Sequence, residues 1–339
     1  MPRAEQIGDT SLHWFDPFGS TDFKDIVSKP VIYGDSSYII MWDQEPLYRY
    51  RFKEFITQLK PPKNIYKNKG TLVTSEYNSE DVSWAMDTYG LESGYYFFHG
   101  WAALDWYRGY NRTSLAQPFT ERKPYNTFLC PNNIIGGERK HRIELLNELV
   151  NRNLLEKNLI SFPDVCPYEG LSLKALCKKY SIPEPSVRLP LTIDNGSGYA
   201  AQSHRIDLWD QANNSLIHVV TETVYSGNKQ HLTEKTFKPI VMQQPFIIQS
   251  CRGSLEYLRS YGFKTFSEFW DESYDECDDQ TRTAKIGQLM QDLNSMSQKE
   301  KASLQKAVSN TVWWNQQWFY GEMFEKQLWA ELNDITKQW

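Results

Sequence analysis

The residues best suited to chemistry in this sequence include two carboxylates, a threonine and a lysine within fourteen positions. Thr233 is a favourable N-cap, and Glu234 and Lys235 would occupy the first turn of the helix that it begins. A helix N-terminus presents unpaired N–H groups and a partial positive charge, which suit a phosphate. Lys235 would add a full positive charge, and Glu222 and Glu234 would accept hydrogen bonds from hydroxyls. This combination predicts a site for a nucleotide diphosphate carrying a sugar, although a solvated first turn with an ordinary Glu–Lys pair fits equally well.

The flanking sequence predicts the elements that would position these groups. Residues 216–220 are apolar and β-branched, as in a buried strand, and 246–248 form a second such run. Between them, polar residues 226–231 predict a loop, and the helix from Thr233 is expected to kink at Pro239. Strand, helix and strand make a βαβ unit, in which ligands bind beyond the carboxyl ends of the strands.

A second pair of carboxylates follows the predicted strand 38–42. Asp43 and Glu45 stand at its carboxyl end, and Pro46 prevents the strand from continuing in a sheet interior. A carboxylate at such a position is suited to act as a general base. Glu45 is the first candidate and Asp43 its rival, and a helix cap or a surface turn would explain either residue without catalysis.

An aromatic segment lies between these two regions. Residues 72–76 and 95–98 are predicted strands, and the segment that follows contains Trp106, Tyr107 and Arg108. Arg108 would meet a phosphate or an acceptor hydroxyl, and the two rings would stack on a sugar. The alternative is an aromatic core segment with one arginine reaching to solvent.

The middle of the chain predicts a further anion site. Residues 126–130 read as a strand, a loop follows with Gly136 and Gly137, and a basic helix start leads into apolar residues at helical spacing. Residues 161–215 are rich in Pro, Ser and Asn and predict an extended excursion. Residues 264–266 predict another strand, and 281–339 predict helices.

Three motifs resemble known glycosyltransferases. Glu222, the run from His231 to Lys235, and the Pro-led strand after the helix are similar to the donor-binding motif of the α1,3-fucosyltransferase-like family. In that family a Glu-Asn pair precedes Val-Thr-Glu-Lys, and a Val-Pro-Val-Val strand follows. The chain also resembles glycosyltransferases of large tailed bacteriophages over roughly residues 31 to 275. The shared segments there are Asp-Gln-Glu-Pro, Asp-Trp-Tyr-Arg-Gly-Tyr and Thr-Glu-Lys-Thr-Phe-Lys-Pro.

The resemblance implies a fold and roles for several residues. It implies a GT-B-like α/β architecture, with two Rossmann-type domains facing a cleft and a C-terminal helix crossing back. It implies an inverting, metal-independent enzyme without a cofactor, whose donor is a UDP- or GDP-linked sugar. Glu45 corresponds to the proposed base of a Glu-Ser-Pro motif, although the serine is missing here. Arg142 is the closest match to an arginine that contacts the donor diphosphate, with Arg139 and Lys140 as rivals.

Pattern and resemblance together predict three domains and a soluble protein. They are residues 1–120 on the acceptor side, 125–300 for the nucleotide sugar, and a helical segment 301–339 that packs back on the first, with a boundary near 118–124. No run of about 18 apolar residues and no apolar leader occurs, and the five cysteines are widely spaced, so we expect a cytoplasmic protein, in a host cell if it is phage-encoded.

The sequence is compatible with more than one acceptor and more than one function class. The net charge of −5 lacks the basic balance of a dedicated nucleic-acid binder and favours a glycan, whereas the phage likeness favours a hydroxymethylated base in DNA. A carbohydrate-binding protein would use the aromatic residues alone. A metal-dependent nuclease or phosphotransferase would use the acids of residues 271–279, which we expect instead in a loop or helix start.

Overall fold

The computed structural model describes residues 4–7, 10–14, 38–59, 70–112, 117–193 and 203–336. Within these ranges the chain is an α/β protein with eleven α-helices and two sheets of mainly parallel strands, compatible with a Rossmann-like fold.

The chain divides into two compact units. Unit 1 comprises Met1–Trp101, Asn228–His231 and Lys326–Trp339, and unit 2 comprises Ala102–Gly227 and Leu232–Glu325. The chain passes from unit 1 to unit 2 after Trp101, which lies N-terminal to the domain boundary predicted near residues 118–124.

Unit 1 contains a five-stranded sheet whose strands lie in sequence order. β1 pairs antiparallel with β2, and the remaining neighbours are parallel. The strands are β1 (Ala4–Ile7), β2 (Thr10–Trp14), β3 (Tyr38–Trp42), β4 (Gly70–Thr74) and β5 (Leu91–Tyr95). Helices α1 (Arg49–Leu59) and α2 (Glu80–Tyr89) connect β3 to β4 and β4 to β5, and α3 (Phe98–Tyr107) follows β5.

Two expectations for the first part of the chain are wrong. The polar sequence of residues 1–30 predicts an irregular segment anchored by Trp14, Phe15 and Phe18, but this segment contains β1 and β2. Trp14 ends β2, and Phe15 and Phe18 lie outside the described residues. The expected strand at 95–98 is the end of β5 followed by the start of α3. A short aromatic run is buried in either conformation, so hydrophobicity alone does not distinguish them.

The core of unit 1 lies on both faces of its sheet. Alternate residues of β3 point to opposite faces, and all five are buried. One face packs on α1 and α2. The other face packs on the last helix, α11 (Glu322–Thr336), through Ile335. The ring of Trp329 lies 4.7 Å from Trp101, and Glu331 accepts a hydrogen bond from the Phe97 amide at 2.9 Å.

Unit 2 contains a four-stranded parallel sheet in the order β7-β6-β8-β9. Its strands are β6 (Asn126–Pro131), β7 (Leu159–Ser161), β8 (Ser215–Thr221) and β9 (Phe246–Gln249). Its helices are α4 (Lys140–Asn151), α5 (Leu173–Tyr180), α6 (Trp209–Asn213), α7 (Glu234–Val241), α8 (Ser254–Ser260), α9 (Asp279–Ser295) and α10 (Gln298–Phe319). The predicted strands at 38–42, 126–130, 216–220 and 246–248 and the helix start at Thr233 are confirmed.

The strand order of unit 2 creates a switch point between β6 and β8. The chain leaves β6 toward β7 on one side and returns to β8 on the other, so the connections after β6 and β8 run in opposite directions. The gap that this opens at the carboxyl ends of the two strands is where ligands of such sheets bind. The residues after β6 and β8 are therefore the ones expected to contact a ligand.

Two expectations for unit 2 are also wrong. The predicted excursion at 161–215 contains helices α5 and α6, and Ser172 caps α5 by accepting from the Ala175 amide at 3.3 Å. Residues 264–266 form no strand, because their backbone groups bond to side chains instead of a ladder. The Asn315 amide bonds both N–H and C=O of Lys264 at 2.8 and 2.9 Å.

The buried His218 of β8 makes stability depend on pH. Its Nδ1 lies 3.3 Å from Gln244 Oε1, and burial lowers the pKa of His218 to about 4. Because the unfolded histidine titrates near 6.5, the unfolded state binds more protons between these values, and stability falls as pH falls from 6.5 towards 4. At pH 5 this loss should be about 2 kcal/mol relative to pH 7.5.

Urea unfolding of the wild type and His218→Gln at pH 7.5 and pH 5 measures this contribution. The variant should lose about 2 kcal/mol less than the wild type over the same interval. Equal losses in the two proteins would show that His218 is not the group responsible.

Candidate functional site

The carboxylate of Glu222 anchors the start of α7. It follows β8, is fully buried, and accepts four hydrogen bonds. Oε1 accepts from the Thr233 amide at 3.0 Å and the Thr236 hydroxyl at 2.7 Å, and Oε2 from the Thr233 hydroxyl at 2.6 Å and the Thr223 amide at 3.3 Å. A carboxylate has about four acceptor sites, and all are used here. Glu222 therefore orients the helix, and its predicted bond to a ligand hydroxyl is not available in this arrangement.

Lys235 lies over the first turn of α7, as its position in the sequence suggested. Its ammonium is 3.0 Å from the Thr233 hydroxyl, 3.4 Å from the Thr223 hydroxyl and 3.1 Å from a Glu234 carboxylate oxygen. About a third of the side chain is exposed. A partly exposed cation is thus held at the positive end of a helix, beside the carboxyl end of a parallel strand.

Lys238 is a second cation at this helix that the sequence analysis missed. It lies one turn after Glu234, half-buried. Burial lowers the pKa of Lys238, and the charge of Lys235 lowers it further, whereas Glu234 raises it. The i,i+4 spacing of Glu234 and Lys238 is the signal that would have found it.

Arg142 ties the ends of β6 and β8 together. Its guanidinium donates to the carbonyl oxygens of Ile134 at 2.6 Å, Thr221 at 2.7 Å and Glu222 at 3.2 Å. Burial lowers the pKa of Arg142 to about 9. The His141 ring nitrogen also lies 3.0 Å from the Glu222 carbonyl. In this arrangement Arg142 is engaged with backbone, and its contact with a diphosphate stays a prediction.

The two rivals of Arg142 are more accessible. Lys140 is exposed and pairs with Glu144 at 3.8 Å, a distance that contributes little binding energy. Arg139 precedes α4 and is half-buried, and among the described residues it forms no ion pair. Either side chain is better placed than Arg142 to meet a ligand anion.

The loop at Gly136 and Gly137 already holds an internal anion. The Gly137 amide donates to Glu169 Oε1 at 2.5 Å, and Lys179 pairs with the same carboxylate at 3.0 Å. A β-carbon on Gly136 would lie 2.8 Å from the Glu169 carboxyl carbon, so a larger residue there would displace this side chain. The anion site predicted here is therefore occupied by the protein's own carboxylate.

The aromatic segment at 106–108 is split between core and surface. Tyr107 is fully buried, and its hydroxyl donates to the Ser203 carbonyl at 2.6 Å, so it cannot stack on a sugar as predicted. Burial raises the pKa of Tyr107, and the charges of Glu234 and Glu222 raise it further, which places this residue close to the start of α7. Trp106 is half-buried, and the exposed Arg108 pairs with Glu325 at 3.4 Å.

In unit 1, the two candidate bases differ in accessibility. Asp43 is buried and accepts a hydrogen bond from the Tyr96 hydroxyl, whereas Glu45 is half-buried. The ring of His99 lies 3.1 Å from the Gln44 carbonyl. His231 packs perpendicular to it, with ring centroids 4.9 Å apart. The sequence did not predict this contact, because 132 positions separate the two histidines.

A buried ion cluster fixes the segment that follows Glu45. Lys229 donates to the Leu47 carbonyl at 2.6 Å and to Asp81 at 2.7 Å, and lies 3.5 Å from Glu76. Glu76 in turn accepts from the Leu47 amide at 2.5 Å and from the Ser79 hydroxyl at 2.5 Å. Burial raises the pKa of Glu76, and the Lys229 charge opposes that rise.

Removing the Lys229 ammonium should strongly destabilise the protein. Lys229→Met leaves two carboxylates without their common cation, and breaking a buried pair in this way costs about 3–5 kcal/mol. Chemical denaturation measures the loss. The double variant Lys229→Met/Glu76→Gln should recover part of it, because the buried charge is gone. The ion pair of Lys179 with Glu169, whose lysine is exposed, offers a control. Lys179→Met should lower the free energy of unfolding by at most about 1 kcal/mol. A Lys229 variant as mild as the control would contradict the role given to the cluster.

Three of the acids of residues 271–279 accept hydrogen bonds from backbone amides. Asp278 caps α9 by accepting from the Thr281 amide at 3.0 Å, as expected for a helix start. Asp275 accepts from the Leu255 amide, and Asp271 from the Ser273 amide. In the described part of the chain, no cluster of three or more His, Cys, Asp or Glu side chains is arranged to hold a metal ion.

Comparisons with known proteins add no assignment. No family model, no curated protein and no solved structure matches the chain. Among the helices of the described ranges, none combines the length and apolar character needed to span a bilayer.

Proposed function

We propose that this protein is an inverting, metal-independent glycosyltransferase of the GT-B type. In this proposal, the start of α7 binds a UDP- or GDP-linked sugar and Glu45 is the catalytic base. The likeness of its motifs to the α1,3-fucosyltransferase-like family and to bacteriophage glycosyltransferases supports the assignment.

One observation carries the proposal. At the carboxyl end of β8, beside the switch point of a parallel sheet, the partly exposed Lys235 ammonium lies over the N-terminal turn of α7. Glu222 fixes that turn through four hydrogen bonds. A preorganised cation and helix end at this location suit a diphosphate.

The proposed reaction is a single displacement. Glu45 takes the proton of the acceptor hydroxyl while that oxygen forms a bond to the anomeric carbon. The bond from this carbon to the diphosphate oxygen breaks at the same time, and its electron pair leaves with the diphosphate. Lys235 and the α7 N-terminus stabilise the charge that grows there, with Arg139 or Lys140 as further candidates. Because attack comes from the face opposite the leaving group, the anomeric configuration inverts.

A thermal-shift screen of UDP-, GDP-, CMP- and dTDP-sugars tests the donor assignment. One nucleotide sugar should raise the melting temperature and be hydrolysed slowly without acceptor, in the presence or absence of EDTA. Binding without turnover of any donor would favour a carbohydrate-binding protein. Activity that EDTA abolishes would favour a metal-dependent nuclease or phosphotransferase.

The acceptor is tested with the donor found in this way. Incubation with hydroxymethylcytosine DNA, followed by mass spectrometry of the nucleosides, reports transfer to a base, and incubation with glycan acceptors reports the alternative. A base in duplex DNA would first have to leave the stack.

A further inference from the structure

Aromatic and cationic residues alternate at the start of α1 and in the residue before it, on a partly exposed surface. We call Tyr48, Arg49, Tyr50, Arg51 and Lys53 the α1 surface. Phe52 between them is fully buried and fixes the helix rotation. Tyr50 is 58% exposed, and Arg49 and Lys53 are exposed as well.

Two rings of the α1 surface form a preformed stack. The rings of Tyr48 and Tyr50 lie 6.0 Å apart with an interplanar angle of 22°. The Arg51 guanidinium lies 5.8 Å from the first ring and 5.9 Å from the second. Lys229 lies 4.9 Å from the Tyr48 ring. A flat aromatic platform is therefore held in place by cations, with the outer tyrosine open to solvent.

The charges of the α1 surface run against helix stability. The first turn of α1 contains no acidic residue. Cations there face the positive end of the helix dipole, which disfavours them and favours anions. Asp81 pairs with Arg49 at 2.7 Å, and Glu54 is exposed on the same helix. The Lys53 ammonium lies 5.4 Å from the centroid of the Trp84 ring. Residues that oppose local stability are expected at functional positions.

We propose that the α1 surface binds a single-stranded stretch of nucleic acid. A base stacks on Tyr50, and the neighbouring phosphates contact Arg49, Arg51 and Lys53. A neutral glycan needs no such cations, whereas a strand of nucleotides supplies both flat rings and regularly spaced negative charges. Among acceptors, this chemistry selects nucleic acid over a glycan.

The position of Glu45 connects this surface with the proposed reaction. Glu45 precedes Tyr50 by five residues, so their backbones lie at most about 18 Å apart. A nucleotide a few positions along the strand from the one stacked on Tyr50 would therefore lie within reach of the Glu45 carboxylate. This assignment of the acceptor rests on the proposed function, whereas binding of the strand does not.

Fluorescence anisotropy with a labelled 12-nucleotide mixed-sequence DNA strand tests the proposal. The affinity should fall with salt with a logarithmic slope of about −2, as expected for three phosphate contacts. Tyr50→Ala should weaken binding about 5- to 150-fold, the range found for loss of one stacked base. Arg51→Gln should reduce the magnitude of the slope by about 0.7.

Matched controls lie on unit 2. Tyr125→Ala removes a tyrosine that is 72% exposed, and Arg188→Gln removes an exposed arginine, and both should bind as the wild type does. An abasic strand of equal charge should bind the wild type about as weakly as the normal strand binds Tyr50→Ala. No binding by the wild type, an equal effect of Tyr125→Ala, or equal affinity for the abasic strand would overturn the proposal.

The same variants separate this proposal from the proposed function. Tyr50→Ala should leave the thermal shift caused by the nucleotide sugar unchanged. If the protein binds the strand but no nucleotide sugar raises its melting temperature, the proposed glycosyltransferase function is contradicted and the proposal for the α1 surface is supported. If a nucleotide sugar raises the melting temperature but the strand does not bind, the proposal for the α1 surface is contradicted and the proposed donor binding is supported.

Discussion

Lys235→Ala should lower the rate of sugar transfer about 10²–10³-fold, the usual cost of losing one preorganised charge contact in a transition state. The ammonium lies 3.0 Å from the Thr233 hydroxyl and is exposed enough to meet a ligand. Negative charge on the diphosphate grows as its bond to the sugar breaks, so the loss should fall mainly on turnover at saturating donor.

The fold should survive this change, because Glu222 and Thr233 fix the start of α7 without Lys235. Lys285→Ala, which removes an exposed lysine of α9, is the matched control and should keep full activity. Rates of both variants with a radiolabelled donor, together with their melting temperatures, complete the test. A Lys235→Ala protein with at least a third of wild-type turnover would remove this residue from the mechanism.

Glu45→Gln should lower turnover about 10²–10⁴-fold, the range for loss of a general base. Glutamine keeps the shape of the side chain and loses the ability to take a proton. Donor affinity and melting temperature should stay at the wild-type values, and the limb of the pH–rate profile that reports the base should vanish. Single-turnover rates at saturating donor provide the measurement.

Asp43→Asn separates the two candidate bases. Asp43 is buried against the Tyr96 hydroxyl, so its replacement should act chiefly on stability, with turnover per folded molecule nearly retained. The reverse pattern, with activity lost in Asp43→Asn and kept in Glu45→Gln, would make Asp43 the base.

Local sequence rules predicted the elements that frame the site. The β-branched run of β8, the apolar run of β9 and the N-cap at Thr233 are local signals, and the structure confirms all three. The switch point could not be read in this way, because the order of strands in a sheet depends on which strands pair.

Long-range contacts explain most of what the sequence did not predict. Glu169, more than thirty residues away, fills the loop at Gly137, and Asn315 replaces the ladder of the expected strand at 264–266. Lys229 meets Glu76 across about 150 residues. In each case, a polar or charged group bonds to a side chain that is distant in sequence. The residues next to that group suggested another partner, so no local pattern predicts the contact.

The assignment of Asn228–His231 to unit 1 affects how the protein can be dissected. The chain passes between the two units four times, after Trp101, Gly227, His231 and Glu325. A truncated polypeptide ending at Trp101 would contain Glu76 but lack Lys229, and would expose the sheet face that Ile335 covers. Neither half can be excised as one continuous fragment, so a working minimal version requires rejoining the segments in a new order rather than cutting the chain once.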